Sequence, residues 1–291
     1  MKKVLAIDMG ATSIRGILAW VEDGKLKTRE VMRMSHEMIS EKTGLCWEWE
    51  KLLSAVEKTI IEYAAEITSV GIDTWGVDFG MLDSDGELIE HPHTYRDPMH
   101  LKAFNEFSDL MSKEDVYKKT GNQVMSINTL YQLYGIKKNN KENFKKCKKI
   151  LMMPDLFQYY LTGEMVCEET EISTSQLIDL RKREFSSEIL GKLGLSRENF
   201  PEIVKAGHLT GSTKNSKIES LRKYDIKVYS VCGHDTASAV LMTDAFIDKD
   251  VLFLSCGTWS LIGAVNGDCI INHESYKRNH TYLKRYNNCN Q

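Results

Sequence analysis

ITSVGIDTWGVDFG occupies residues 67–80, and its reading decides the fold. Ile67 to Asp73 is a short apolar run bounded by polar turn residues, the pattern of a buried strand. Upstream, Leu52, Leu53, Val56, Ile60, Ile61 and Ala64 recur at helical spacing from Trp49 onward. A helix that crosses back onto a sheet predicts an α/β domain. Three β-rich runs precede that helix, Val4 to Asp8, Ile14 to Trp20 and Lys27 to Arg33. Gly10 and Glu22-Asp23-Gly24 serve as their turns, so a small antiparallel meander is expected.

Downstream, Leu82 to Leu88 carries an Asp-Gly step that supplies the left-handed turn of a hairpin. Residues 99–222 follow mostly helical patterns with polar loops, an insertion expected to cover one side of a site. Ile226 to Cys232 returns to strand, Asp235 to Val240 opens a helix, and Val251 to Ser255 with Trp259 to Val265 suggests a second sheet. No internal repeat at a fixed period is present.

The 291 residues are 42% hydrophobic and 27% charged, with a net charge of -3, so the chain can bury a core and carries no field that favours nucleic acid or an anionic membrane. A small neutral or anionic substrate fits better. The lysine-rich stretch 137–149 reads as a solvated face rather than a nucleic-acid patch. The apolar start is too short for a signal segment and no later run approaches a membrane span, which predicts a cytoplasmic protein. Seven cysteines without a CxxC pair read as reduced packing residues.

Four stretches carry candidate chemistry. Ile7 to Arg15 places Asp8 at a strand end before a glycine turn with hydroxyl donors, a shape that presents backbone N–H groups to phosphate while the carboxylate holds Mg²⁺ through water. The alternative is a hairpin whose Asp only caps its turn. Gly71 to Gly80 ends a strand in Asp73, Trp75, Gly76 and Asp78, the mixture that sugars need: carboxylates for hydroxyls, an aromatic face for C–H bonds, glycine for close approach. Against that, Trp75 is equally a core residue and Asp73 a turn residue. In Cys232 to Val240, Asp235 stands at a helix start, as an ordinary N-cap or as an ionised acceptor for a hydroxyl proton. His234 beside it either bonds sugar oxygens or is a satisfied polar group. Ser255 to Leu261, with Thr258, suits a second phosphate contact across a cleft.

These residues bring a resemblance with them. GIDTWGVDF (71–79), TYRD (94–97), NTLYQL (128–133), MPD (153–155), LTG (161–163), GHDTASAV (233–240) and GTWSL (257–261) occur in the order found in the FGGY carbohydrate kinases, which the chain resembles over about 260 residues. The resemblance implies an actin-like ATPase, ribonuclease-H-like α/β fold, ATP with Mg²⁺ as cofactors, and transfer of the γ-phosphoryl group to the 1-hydroxyl of L-rhamnulose. It implies that Ala11, Thr12, Ser13, Ile14 and Arg15 form the first phosphate-binding turn, that Asp8 is the magnesium-associated carboxylate and that Thr258 contacts ATP. Gly76, His234, Asp235 and Thr236 match sugar-binding positions, joined by Trp75 and Asp78 from the residue chemistry above, with Asp235 the proton acceptor. A non-catalytic sugar-binding remnant, or a kinase of fuculose, xylulose or glycerol, are the alternatives.

Two departures bear on these expectations. Pro98-Met99-His100 follows Tyr95-Arg96-Asp97 where related enzymes carry another basic residue. The resemblance decays after about Asn279, so residues 1–245 are expected to form a complete sugar-binding N-terminal domain and 246–291 the beginning of a truncated nucleotide domain. Such a chain is expected to keep weak sugar binding, to expose apolar strands near its end and to phosphorylate slowly if at all.

Overall fold

The computed structural model describes residues 2–248, 250–256, 260–265 and 269–282. The expected meander is present as β1 (Lys3–Met9), β2 (Ser13–Glu22) and β3 (Lys25–Ser35), three antiparallel neighbours. A short hairpin, β4 (Met38–Glu41) and β5 (Gly44–Trp47), leads into helix α1 (Trp49–Tyr63). The helix buries Trp49, Leu52, Val56, Thr59 and Ile60, the face that its apolar spacing predicts. Then β6 (Ile67–Thr74) pairs with β1 in parallel, so the crossover does complete an α/β unit.

The main sheet has six strands. Lys227–Tyr229 adds to β6 in parallel and Leu209–Ser212 forms the far edge, while the charged β3 forms the other. Leu5, Ile7 and Met9 of β1 and Val70, Ile72 and Thr74 of β6 fill one face. That face packs against α1 and, later in the chain, the helix Met153–Thr162. Because side chains alternate along a strand, Asp8 and Asp73 must point to the opposite face.

β7 (Phe79–Leu82) follows the sugar-type loop, and the Asp-Gly turn after it is tight, with Gly86 at φ 75° and the Asp83 carboxylate accepting from the Asp85 and Glu87 amides. The turn closes only the single bridge Leu82 to Leu88, and β7 instead takes its partner from β8 (Lys149–Met152). Between them lie α2 (Met99–Phe107), α3 (Lys113–Thr120), α4 (Thr129–Asn139) and α5 (Lys141–Lys146), the helical insertion foreseen over 99–222. α6 (Met153–Thr162) leads to β9 (Cys167–Glu168) and the four-residue α7 (Glu169–Ile172). A second apolar cluster around Phe107, Tyr131, Leu133 and Leu177 joins this insertion to β7 and β8.

Near the end of the chain, Leu252–Cys256 and Ser260–Ala264 pair only with each other among the described residues. Leu252, Leu254 and Ile262 stand 65%, 64% and 74% exposed, as expected of a hairpin outside the main sheet. No helix among the described residues is long and apolar enough to cross a membrane.

Candidate active site

Three chain segments meet at the carboxyl ends of β1 and β6. Asp8 and Asp73 are direct neighbours in the parallel register, so their side chains lie on the same face about one strand spacing apart. The Trp75 amide donates to the Met9 carbonyl at 3.1 Å, which carries the loop after β6 past the end of β1. The Thr74 amide donates to the Gly233 carbonyl at 2.8 Å, and Thr74 bridges His234 in parallel. The helix Asp235–Leu241 then packs against β6. Residues 8, 73–76 and 233–236, read from distant parts of the sequence, thus share one region.

The electrostatics agree with that convergence. Burial raises the proton affinity of Asp8, the Arg15 guanidinium at 2.6 Å opposes it, and the charge of Asp235 raises it again. Asp73 is pushed well above the usual carboxylate range by burial, then by Asp8 and Asp235, with a hydrogen bond from Ser238 working the other way. Each of these three carboxylates therefore feels another of the set. Asp235 keeps an accessible side chain, 41% exposed, and its Oδ1 accepts from the Thr236 hydroxyl at 3.1 Å. It is not the N-cap that its place in the sequence suggested. His234 holds that position without a side-chain cap bond, and Asp235 is the first helical residue. The His234 Nε2 lies 3.5 Å from Asp235 Oδ1, and burial lowers the imidazole's proton affinity against the pull of that carboxylate.

The turn after Asp8 is built by the backbone. The Gly10 amide donates to the Ser13 carbonyl at 2.9 Å. His36 braces the turn from outside, its amide on the Thr12 carbonyl at 3.1 Å and its Nε2 at 2.9 Å from the Gly10 carbonyl. Ala11 and Ile14 are buried, so their side chains belong to the core and only their backbone faces the turn. Thr12 is exposed and Ser13 half-buried. Thr258, expected opposite this turn, lies outside the described residues, so the facing second turn is not described.

Beyond the end of β6, Gly76 closes on His234: a Cβ at residue 76 would sit 3.3 Å from both Cδ2 and Nε2 of that imidazole. Trp75 and Asp78, expected beside them at the sugar, are instead parts of the wall. Asp78 has no exposed surface, and its Oδ2 accepts from Trp47 Nε1 at 2.7 Å, Trp75 Nε1 at 2.9 Å and the Tyr95 amide at 3.2 Å. Gln132 Nε2 takes Oδ1 at 2.8 Å. Burial raises Asp78 to about 6 despite these four donors. Trp75 is 5% exposed and packs on Trp47 with ring centroids 4.3 Å apart and planes tilted by 43°, so its ring is core first. Reach to a ligand is limited by packing, a property that the residue type alone does not carry.

Several residues that shape the site were not singled out as site residues from the sequence. Val77 sits at φ 73°, an unusual conformation for a β-branched residue. It is held there by Thr174 Oγ1, which accepts from its amide at 3.1 Å, and by Thr129 Oγ1, which donates to its carbonyl at 2.6 Å. Glu168 and Thr170 contact the amides of Gly233 and His234. A cavity of about 630 Å³ lined by Asp109, Ser112, Lys118, Lys119, Asp179 and Arg181 belongs to the α3 side, and none of the residues above lines it. Among the described residues, no group of three or more His, Cys, Asp or Glu side chains forms a ready metal cage.

Comparison with known proteins bears on the same residues. The rhamnulokinase of Bacteroides thetaiotaomicron is 37% identical over 279 residues, covering 95% of this chain and 57% of that protein. The rhamnulokinase of Ligilactobacillus salivarius is 39% identical over 266 residues, covering 90% and 54%. The chain spans about half the length of the curated relatives it matches. A ligand-bound xylulose kinase from Lactobacillus acidophilus superposes with a TM-score of 0.77 at 20% identity over 90% of this chain and 54% of that one. Plasmodium falciparum glycerol kinase with ADP gives 0.72 at 17% over the same shares. These likenesses show the fold, one lobe of the actin-like ATPase architecture. The family model described as FGGY family of carbohydrate kinases, N-terminal domain, matches residues 3–242. A match that runs through the whole main sheet and all three converging segments settles membership: the chain belongs to the FGGY family of carbohydrate kinases.

Proposed function

We propose that this chain is the sugar-holding, base-bearing lobe of an ATP-dependent kinase that phosphorylates the 1-hydroxyl of L-rhamnulose. The observation that carries the reading is the meeting of Asp235 with Asp8, Asp73 and Gly76 at one sheet end, within relatives named rhamnulokinase. Residues 1–245 are assigned to the sugar-binding domain and 246–291 to the start of a nucleotide domain.

The residues present fit ATP and Mg²⁺ without a protein cage. Mg²⁺ commonly binds through one or two carboxylates together with phosphate oxygens, and Asp8, half-buried at a strand end, offers that kind of ligand. The backbone turn at Gly10 to Ser13, with Arg15 beside it, is the matching cradle for phosphate oxygens. Bound there, Mg²⁺-ATP supplies the phosphoryl group. Gly76, His234 and Thr236 hold the ketose so that its 1-hydroxyl faces Asp235. Asp235 takes the hydroxyl proton as the oxygen attacks, and Arg15 offsets the negative charge that Asp8 and the phosphates bring together. Positioning and charge neutralisation are most of what this reaction asks of a protein.

Calorimetry of the chain with L-rhamnulose, L-fuculose, D-xylulose and glycerol, each with and without Mg²⁺-ATP, tests the reading. L-rhamnulose is expected to bind best, and Asp235→Asn to change its binding by no more than about 1–2 kcal/mol, the scale of one hydrogen bond, while abolishing any ADP release. Preference for another ketose replaces the substrate, heats indifferent to nucleotide favour a non-catalytic sugar-binding remnant, and turnover retained by Asp235→Asn removes the base.

A further inference from the structure

The loop that presents the proposed base is tied to a buried acid 65 residues earlier in the chain. Helix α7 is capped by Glu168, whose Oε2 accepts from the Thr170 amide at 2.9 Å, the Thr170 hydroxyl at 2.6 Å and the Glu171 amide at 3.0 Å. The same oxygen accepts from the Gly233 amide at 2.9 Å. The Thr170 hydroxyl oxygen in turn receives the His234 amide at 3.4 Å. One carboxylate oxygen thus serves four donors, and two of the links end on the residues immediately before Asp235. Four donors on a single oxygen are best matched by a full negative charge, since bonds to an ionised acceptor are roughly twice as strong as neutral ones.

That charge is held in an unfavourable place. Glu168 has no exposed surface and its Oε1 has no hydrogen-bond partner. From α6, Asp155 faces it, with both oxygens on the Glu168 amide at 3.2 and 3.1 Å. From α7 comes Glu171, fully buried with neither oxygen hydrogen-bonded, and the thiols of Cys167 and Cys232 feel the Glu168 charge too, while Arg197 acts on Cys167. A proton arriving on Oε1 leaves Oε2 as a neutral carbonyl with the same four donors and weaker bonds.

We propose that Glu168 is a positioning residue for the base: ionised, it fixes the loop carrying His234 and Asp235, and protonated, it slackens that loop. The assignment rests on the kinase reading above. Burial raises Glu168 to about 7, against the pull of its donors, so the switch falls in the physiological range. The folded proton affinity exceeds that of an ordinary glutamate, so the pinned form is complete above that pH and is lost as pH falls through it.

The test is titration of the full chain and of Glu168→Gln with L-rhamnulose from about pH 6 to pH 8.5, with amide exchange at Gly233 followed by NMR across the same range. Wild type is expected to lose affinity several-fold as pH drops through about 7, with the protection of the Gly233 amide, its exchange rate taken relative to the intrinsic rate at each pH, falling at the same midpoint, while the Gln variant shows the weaker affinity at every pH and no such step. Unchanged thermal melting of Glu168→Gln shows that the fold survived. A step that persists in Glu168→Gln, or a Gly233 protection factor that stays constant across this pH range in wild type, overturns the assignment. Absence of ketose binding at any pH overturns the kinase reading instead, and the Gly233 exchange still decides the role of Glu168.

Discussion

Replacing Gly76 with alanine should separate the stability of this fold from its grip on sugar. The added Cβ would lie 3.2 Å from Thr174 Cγ2 and 3.3 Å from the His234 ring. Thr174 has little room to retreat, because its hydroxyl donates to the Glu171 carbonyl at 2.8 Å and accepts from the Val77 amide at 3.1 Å. The imidazole must therefore give by a few tenths of an ångström. Overpacking of this size costs about 1 kcal/mol, and the stiffer unfolded chain returns about 0.4–1 kcal/mol, so the net change in stability is within about 1 kcal/mol. A tilted His234 loses much of one hydrogen bond to the ketose, about 0.5–1.5 kcal/mol, or roughly 2- to 12-fold in Kd. Gly191 is the control, since it lies in the helix Ser187–Leu193 with nothing within 4 Å of its would-be Cβ. Gly191→Ala should stabilise by about 0.5–1 kcal/mol and leave sugar affinity alone. Calorimetry for Kd and a thermal melt for stability read both variants. An unaltered Kd in Gly76→Ala would refute the placement of Gly76 and His234 at the sugar.

Other outcomes follow from the wall around the site. Gly44 sits at φ 148° with Asp97 Oδ2 and the His93 ring against its α-carbon, so Gly44→Ala should cost about 2–4 kcal/mol from backbone strain and overpacking together, seen as a clear drop in Tm. His93, buried between Glu90 and Asp97, is raised to about 9 by those two carboxylates in spite of its burial, and Asp97 is lowered to about 2 in spite of its own, by His93 and the Met99 and Leu45 amides. The histidine's contribution is complete below its unfolded value of about 6.5 and lost as pH rises through 9, while the aspartate's is complete above about 3.9 and lost as pH falls through 2. Melting temperature should therefore decline on the alkaline side in wild type, and His93→Gln should flatten that decline. Asp78, raised to about 6 by burial, titrates in the opposite sense: the folded form holds its proton more tightly, so its contribution is largest below about 3.9 and diminishes as pH rises through 6. Trp47 and Trp75 donate to this carboxylate, so emission of the native protein should shift with a midpoint near 6 that disappears in Asp78→Asn.

Legibility in the sequence followed the range over which each signal acts. The meander, α1 and β6 were readable because periodicity and turn residues are local, and the buried face of α1 is the one its spacing marks. The pairing of β7 with β8 was not, because 66 residues separate Leu82 from Lys149 and no local pattern records that choice. Motif chemistry likewise identified the segments around Asp8, Gly76 and Asp235, each of which is a strand end or helix start with its own turn residues. It could not rank the residues within them. Asp78 and Trp75 have the right functional groups for a sugar, yet Trp47 from β5, Tyr95 from a loop and Gln132 from α4 close over them. Exposure is a property of the assembled fold.

Glu168 shows the same limit from the other direction. In Cys167-Glu168-Glu169-Thr170-Glu171 nothing distinguishes one acid from the next, and an acidic run of that kind ordinarily lies on a solvated surface. All three glutamates are instead buried. A buried carboxylate without partners is costly, and one that gathers four donors is much less so, so the fold tolerates Glu168 because it completes both a helix start and the loop before Asp235. Glu171, whose carboxyl oxygens have no hydrogen-bond partner, is pushed well above the usual carboxylate range by burial and by Asp155, Glu168 and Asp235. The two acids stand three residues apart, and burial raises the proton affinity of both, while only Glu168 gathers donors that oppose it. The loop from 233 to 235 lies against both, yet its Gly233 amide donates only to Glu168, which ties the proton balance under the site to the position of the very loop that carries the proposed base.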